Sequence, residues 1–229
     1  MMSAVGDAVH VLPLVTALKR HRPRARITWI LQPGPASLIR GHPDVDEIIL
    51  FERKKGWRAF ADVRRALHDR SFDVVLSLQV YFKAGLVTGF ARAPVKLGFD
   101  RARARDVNWL FTTHRIPARP NRHVQDQYFE FLESLGVPHE PVTWNLGPWP
   151  HEADARRAFV ATLPRPAVTL VVATSNPQKD WIPQRWAEVV DTLYEDFGLR
   201  SVLAGGRSPR ELAAQDPILR HARHPPHST

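Results

Sequence analysis

Three short stretches of this chain carry the residue types and spacings that do chemistry. The first is residues 173–186, ATSNPQKDWIPQRW. An apolar run over 168–173 ends in the small hydroxyl residues Thr174 and Ser175, Lys179 follows, and a segment of helical period opens at Pro183. A strand–loop–helix unit of this composition presents an anion site: backbone N–H groups at the helix start point at the ligand and the helix dipole favours negative charge. Lys179 adds a full positive charge, so the expected ligand is phosphorylated. In the plainer reading Lys179 is solvated, Trp181 and Trp186 serve the core, and Pro183 fits either case.

The second stretch is residues 3–13, SAVGDAVHVLP. Gly6 permits a tight turn and Asp7 stands in the place of a helix N-cap. Asp7 is therefore either a general base at the carboxyl edge of a sheet, where α/β proteins bind ligands, or a cap worth about 1 kcal/mol. Ser3, Gly6 and His10 accompany it, and His10, one turn on, either touches a ligand or is packed or solvated near the first turn. The third stretch is residues 203–211, LAGGRSPRE. Gly205 and Gly206 after a strand let the backbone approach a ligand or simply turn the chain. Glu211 is placed to accept from a ribose hydroxyl, or is a solvated first-turn carboxylate. Neither the dinucleotide fingerprint nor a P-loop pattern is present.

Other chemistries are excluded. The chain has no cysteine, which removes disulfides, thiolate catalysis and cysteine-based zinc sites. Its eleven histidines form no His-x-x-x-His pair with a nearby third ligand. His221, His224 and His227 fall in a tail expected to fray, so no metal is expected. The Gly-x-Ser-x-Gly turn of a serine hydrolase is absent.

The elements that must position these residues alternate as in a parallel α/β sheet. Helical period is predicted over 8–21, 36–40, 57–70, 81–92, 123–135, 152–163, 184–197 and from Pro209 onward. Strands are predicted over 27–31, 47–51, 73–78, 95–99, 168–173 and 201–204. Residues 101–119 show no clean period and read as a long, partly ordered loop. The Pro- and Trp-rich stretch 137–150 reads as an interdomain linker. The organisation expected is an N-terminal domain over 1–140, a linker and connecting helix over 141–165, and a second α/β domain over 166–229. A strand is expected before the turn at Gly6 and none precedes it, so the first strand of the N-terminal domain is expected to be missing. The C-terminal domain is expected to be incomplete.

At 229 residues, with 44% hydrophobic and 24% charged residues, the chain has the composition of a soluble globular protein. No apolar run approaches the roughly 20 residues that cross a bilayer, and a cytoplasmic setting is expected. A net charge of +9 calls for anionic partners. The basic residues are spread over helix faces and loops without the pattern of a nucleic-acid reader. No nucleic-acid partner is therefore expected; the charge reads either as generic surface charge or as attraction to an anionic membrane surface.

The blocks 3–13, 27–30 (ITWI), 41–47 (GHPDVDE), 73–79 (DVVLSLQ), 179–186 and 202–206 (VLAGG) together resemble, in order and spacing, glycosyltransferase family nine, the bacterial heptosyltransferases of lipopolysaccharide core assembly. The resemblance implies a GT-B architecture of two Rossmann-like domains with a cleft between them, acceptor on the N-terminal side and nucleotide-sugar, typically ADP-heptose, on the C-terminal side. It implies that Asp7 is the base for an inverting displacement. Ser3, Gly6 and His10 would then lie on the acceptor side, and Thr174, Ser175, Lys179, Gly205, Gly206 and Glu211 on the donor side. No cofactor and no metal are implied; the partners are the nucleotide-sugar and an anionic glycolipid, and the setting is the inner face of the cytoplasmic membrane. The family's later Asp-(Ser/Thr)-Gly donor motif with its histidine does not follow Gly206, so negligible transferase activity is expected of this chain alone. Two other readings remain: a non-catalytic glycolipid-binding remnant, and another nucleotide-sugar enzyme of GT-B architecture, such as an epimerase.

Overall fold

The computed structural model describes residues 2–228 apart from Asn121, His139, Glu140, Pro148, Ser175 and Arg207, and of Pro177 only the backbone. The chain divides into two compact units, Met1–Trp149 and Pro150–Thr229. In the first, strands β1 (Thr28–Leu31), β2 (Glu47–Leu50), β3 (Val74–Ser77), β4 (Val95–Gly98) and β5 (His114–Arg115) are joined by helices α1 (Val5–His21), α2 (Pro33–Ile39), α3 (Trp57–Leu67) and α4 (Phe82–Phe90). Helix α5 (Val124–Ser134) closes the unit. Every strand pair is parallel, in the orders β1-β2 and β3-β4-β5.

The strands are short, and the central residues of β1 and β3 are apolar on both faces because helices cover both faces, as parallel sheets require. Trp29 and Leu31 of β1 join one core with Leu12 and Val15 of α1 and Phe131 and Leu132 of α5. Ile30, between them, packs with Ile49, Phe51, Val63 and Leu67 in a second core under α3 and α4. This alternation is the period-two geometry of a strand expressed through burial alone.

The second unit holds α6 (Ala153–Thr162), β6 (Ala167–Leu170), α7 (Pro183–Phe197), β7 (Arg200–Leu203), α8 (Pro209–His221) and β8 (His227–Ser228). Its sheet is parallel, in the order β6-β7-β8. Helix α7 starts with Pro183 at its first position, where the missing N–H costs nothing, and ends on Gly198 at φ 66°.

Two expectations are corrected. The stretch 101–119 is ordered by charge, not by apolar period. The Arg103 guanidinium is wedged between Asp100 and Glu130, 2.7 Å from the latter, and donates to the Pro117 carbonyl at 3.0 Å. Burial alone would raise the Asp100 carboxyl, but Arg103 and the Ala102 and Arg103 amides outweigh it and hold it below its usual range. The same stretch supplies β5 and the buried Ile116.

The tail after His221 does not fray. Asp191 of α7 accepts from the His224 amide at 2.9 Å and from Arg223 at 3.3 Å, Glu195 takes both side chains, and β8 then pairs with β7. Four polar contacts replace the apolar period whose absence suggested fraying.

Candidate functional site

In the second unit, adjacent parallel strands deliver the two candidate donor loops to one edge. β6 ends at Leu170 and leads into the loop with Thr174 and Lys179; β7 ends at Leu203 and leads to Gly205, Gly206 and α8. Carboxyl ends of parallel strands are where open α/β sheets bind ligands. Thr174 donates its hydroxyl to the Asn176 carbonyl at 2.7 Å, and its own amide reaches Asp180 at 2.8 Å. Lys179 closes a 3-10 turn, Pro177–Lys179, and is exposed. Ser175 lies outside the described residues.

Sequence reasoning missed the pair that ties these loops together. Arg210, in the first turn of α8, binds the Asp180 carboxylate and the Thr174 carbonyl. Burial alone would raise the Asp180 carboxyl; hydrogen bonds from the Thr174 amide and from Arg210 keep it low. One signal was available: an arginine in the first turn of a helix opposes the dipole and calls for an acidic partner.

Glu211 is engaged locally. Its carboxylate accepts from the Gly206 amide at 2.8 Å and from the Ser208 hydroxyl at 2.6 Å, while the Ser208 hydroxyl in turn accepts from the Glu211 amide. This is a capping box, and those donors hold the Glu211 carboxyl below its usual range. Gly206 is required by it, because a Cβ there would stand 2.6 Å from a carboxylate oxygen. Gly205 is freer, its nearest such contact being 3.6 Å from Gln215.

In the first unit, Ser3, Gly6, Asp7 and His10 lie on or just before the opening turns of α1. Two details differ from expectation. Gly6 does not make the turn; it is a helical residue with no positive φ, and a Cβ there would meet nothing within 4 Å. Asp7 is not the N-cap residue. Ala4 is, and the Asp7 carboxylate, three positions on, accepts from the Ala4 amide at 3.1 Å. The helix starts earlier than its apolar period, so the cap moved with it.

Around Asp7 and His10 stands a group the sequence did not announce. The Tyr128 phenol is held protonated, by burial first and by the Asp7 charge second. His10 lies 3.3 Å from the Gln125 side-chain oxygen and edge-on to His123 at 5.5 Å. Helix α5 thus lines one side of the α1 terminus.

Ser3 opens on a cavity of about 640 Å³ at the carboxyl ends of β1, β2 and β3. Gln32, Arg53, Trp57, Tyr81, Lys83 and Gln79 line it as well. Gln79 fixes the entry to α1, accepting from the Met2 amide at 2.9 Å and donating to the Ser3 carbonyl at 2.8 Å. Trp57 is 78% exposed and begins a patch with Lys54, Lys55, Arg58 and Arg65. Among the described residues no three His, Asp or Glu side chains are grouped to hold a metal ion, and no helix is long and apolar enough to cross a membrane.

The family model described as glycosyltransferase family 9 (heptosyltransferase) matches residues 60–227. The lipopolysaccharide core heptosyltransferase OpsX of Haemophilus influenzae is 27% identical over 217 residues, 95% of this chain and 62% of that protein. Lipopolysaccharide heptosyltransferase 1 of Escherichia coli K12 is 28% identical over 231 residues, 93% of this chain and 69% of that protein. Among solved structures, a family 9 glycosyl transferase from Veillonella parvula superposes with a TM-score of 0.83 at 20% identity, covering all of this chain and 67% of its own. E. coli heptosyltransferase WaaC with ADP gives 0.79 at 24% identity, covering all of this chain and 72% of its own. The fold is thus the one these transferases share, and the chain spans about 62–69% of the length of the curated relatives named.

Proposed function

This chain belongs to glycosyltransferase family 9, the heptosyltransferases, and on that premise we propose that it serves transfer of heptose from ADP-heptose to a lipopolysaccharide-core acceptor with inversion. The observation that carries the reading is the family match, which runs through both units from residue 60 to residue 227. In the reaction, an acceptor hydroxyl attacks the anomeric carbon and its proton passes to the Asp7 carboxylate. The bond from that carbon to the diphosphate oxygen breaks, and ADP leaves with the negative charge. Asp7 suits a base, since its one described hydrogen bond, from the Ala4 amide, leaves acceptor capacity on both oxygens. Thr174, Ser175 and Lys179, with the amides of Gly205 and Gly206, bind the diphosphate and stabilise the charge that develops on it. Glu211 fixes the Gly206 amide in place and keeps acceptor capacity for a ribose hydroxyl.

Ser3, Gly6 and His10 take the acceptor side. The 640 Å³ cavity suits a phosphorylated sugar: Trp57 and Tyr81 offer ring faces for its C–H groups, and Arg53 and Lys83 offer charge for its phosphates. Exposed Trp57 among Lys54, Lys55, Arg58 and Arg65 also fits an anionic membrane surface, where tryptophan and basic side chains settle together. This patch supports a setting at the inner face of the cytoplasmic membrane.

Calorimetric titration of the chain with ADP and ADP-heptose tests the donor side. Binding that Lys179→Ala weakens by about tenfold is expected for one lost charge on a phosphate; no binding of either nucleotide overturns the assignment. For the base, Asp7→Asn is expected to leave ADP affinity unchanged while turnover drops at least about 100-fold. Unchanged turnover removes Asp7 from the mechanism.

A further inference from the structure

One wall of the 640 Å³ cavity has a backbone held out of its ordinary range. Asp106 and Val107 stand next to each other at φ 50° and 55°, the left-handed region that glycine favours and a β-branched valine avoids. A solvated turn has no need of this, since glycine or asparagine makes it without strain. Strain of this kind lasts only where the surroundings over-determine it, and it gathers at ligand sites.

Those surroundings can be read residue by residue. Gly85 and Gly89, one turn apart on α4, leave a groove that seats a 3-10 turn over Asn108–Phe111. A Cβ at Gly85 would stand 2.6 Å from the Phe111 ring and 3.0 Å from the Asn108 side-chain nitrogen, and one at Gly89 3.0 Å from that ring. Glycine lets the two segments approach this closely. Phe111 packs edge-on to Phe82 at 5.5 Å, and the buried Asn108 donates its side-chain amide to the Tyr81 carbonyl at 2.8 Å. On the other side the Arg105 amide donates to the Val80 carbonyl at 2.8 Å. Residues 105 and 108 are thus both tied to the loop between β3 and α4. Two residues are left to join them, and both take the left-handed conformation.

The result is the placement of a charge. Asp106 lines the cavity and is the one carboxylate among the described residues that do so. Arg53 and Lys83 line the same cavity, yet among the described residues no cation pairs with Asp106. We propose that Asp106 is a specificity-determining residue of this cavity, whose carboxylate accepts from two neighbouring hydroxyls of a sugar while Arg53 and Lys83 hold that sugar's anionic group. The assignment rests on the acceptor-side reading of the cavity. An ionised carboxylate offers two oxygens that only accept, and a vicinal diol offers two O–H donors side by side. Hydrogen bonds to an ionised acceptor are roughly twice as strong as neutral ones. A second anionic group at Asp106 is repelled by it, and an amine, which its charge alone would suit, is opposed by Arg53 and Lys83. The ligand that satisfies all three side chains is a sugar with one anionic substituent and an unsubstituted hydroxyl pair. Arg53 and Lys83 alone would take any phosphate that fits; Asp106 makes the cavity selective.

NMR titrations with mannose 6-phosphate, which carries a phosphate and neighbouring free hydroxyls, and with inorganic phosphate test this. Asp106→Asn is the variant of choice, because Asp106 is exposed and asparagine tolerates the left-handed conformation. The parent chain is expected to bind the sugar phosphate more tightly than phosphate. Asp106→Asn is expected to weaken the sugar phosphate about tenfold while phosphate binds as before or slightly more tightly. Lys83→Ala is expected to weaken both ligands together. An equal effect of Asp106→Asn on the two ligands, or none on the sugar phosphate, overturns the proposal and leaves the acceptor-side reading standing. So does a parent chain that binds the sugar phosphate no more tightly than phosphate. Binding of neither ligand removes the acceptor-side reading itself, and this proposal with it.

Discussion

The two units solve one problem, holding loops at the carboxyl edge of a parallel sheet, by different means. The first has two apolar cores, one on each face of its strands, and hides even its polar anchors: Arg103 is 7% exposed between Asp100 and Glu130. The second has one small core, in which Val172, Ala187, Val190, Leu203, Ile218 and Ala222 are buried, and α6 buries none of its residues. Its charges are mostly nearer the surface: Arg210 with Asp180 across the candidate donor loops, and at the tail Arg223 with Glu195 and with Asp191, the one buried member. The difference teaches where each unit is vulnerable. Buried ions are costly to strand, whereas near-surface ions are cheap to break one at a time.

The largest effect follows in the first unit. Arg103→Ala leaves two buried carboxylates facing each other without their cation, and about 3–5 kcal/mol of stability should be lost. Segment-resolved hydrogen exchange in urea assigns the loss to residues 2–149, which a single melting temperature of a two-unit chain does not. Replacement by methionine together with Asp100→Asn and Glu130→Gln should recover much of it. A loss below about 1 kcal/mol would show that the triad is solvated like the pairs of the second unit.

Acid separates the units next. In the folded chain Asp180, Asp191 and Glu211 are all held below their ordinary values of 3.8, 3.8 and 4.5. A depressed folded value means stability that is present above the unfolded value and lost as pH falls through the folded one. The Glu211 contribution therefore begins to fade below about pH 4.5 and the aspartate contributions below about 3.8. The donor loops and β8 should lose exchange protection in that window before β1 to β4 do. Asp46, Glu47 and Asp100 of the first unit are depressed as well, but its two cores remain when they protonate. Loosening of the first unit ahead of the second would contradict the contrast.

The sequence displayed the elements because apolar period is a local signal, and α7 shows this well: a proline start, an amphipathic run and a glycine stop. The family likeness likewise rested on blocks whose order was visible. What stayed hidden depends on residues far apart in sequence. Arg210 meets Asp180 across 30 positions and Gln79 meets Met2 across 77. No window of residues reveals either pair. The tail was misread for the same reason: its order comes from Asp191 and Glu195 on α7, not from its own composition. Asp7 stands three positions past the N-cap expected of it, because a helix's apolar face does not mark its first turn.

Smaller effects sharpen the contrast at individual turns. Ser208→Ala removes a cap whose hydroxyl serves both Glu211 oxygen and amide, and should cost the second unit about 1 kcal/mol. Gly206→Ala acts at the same place by a different route, since the new methyl displaces the Glu211 carboxylate and the cap opens. The two changes combined should cost little more than one alone, because they break a shared contact. Additive losses would mean that Gly206 has a separate role.

Gly6 is the smallest case and the most diagnostic. Its backbone is helical and open space surrounds the position of a Cβ, so Gly6→Ala should raise stability by up to about 0.5–1 kcal/mol through the lower conformational freedom of the unfolded chain. Thermal melts of the two chains under one condition measure it. A gain shows that the fold does not need glycine at this turn. If the stabilised variant then binds a glycolipid acceptor more weakly than the parent does, the missing side chain is there for the ligand, which must come closer to the start of α1 than a methyl group allows.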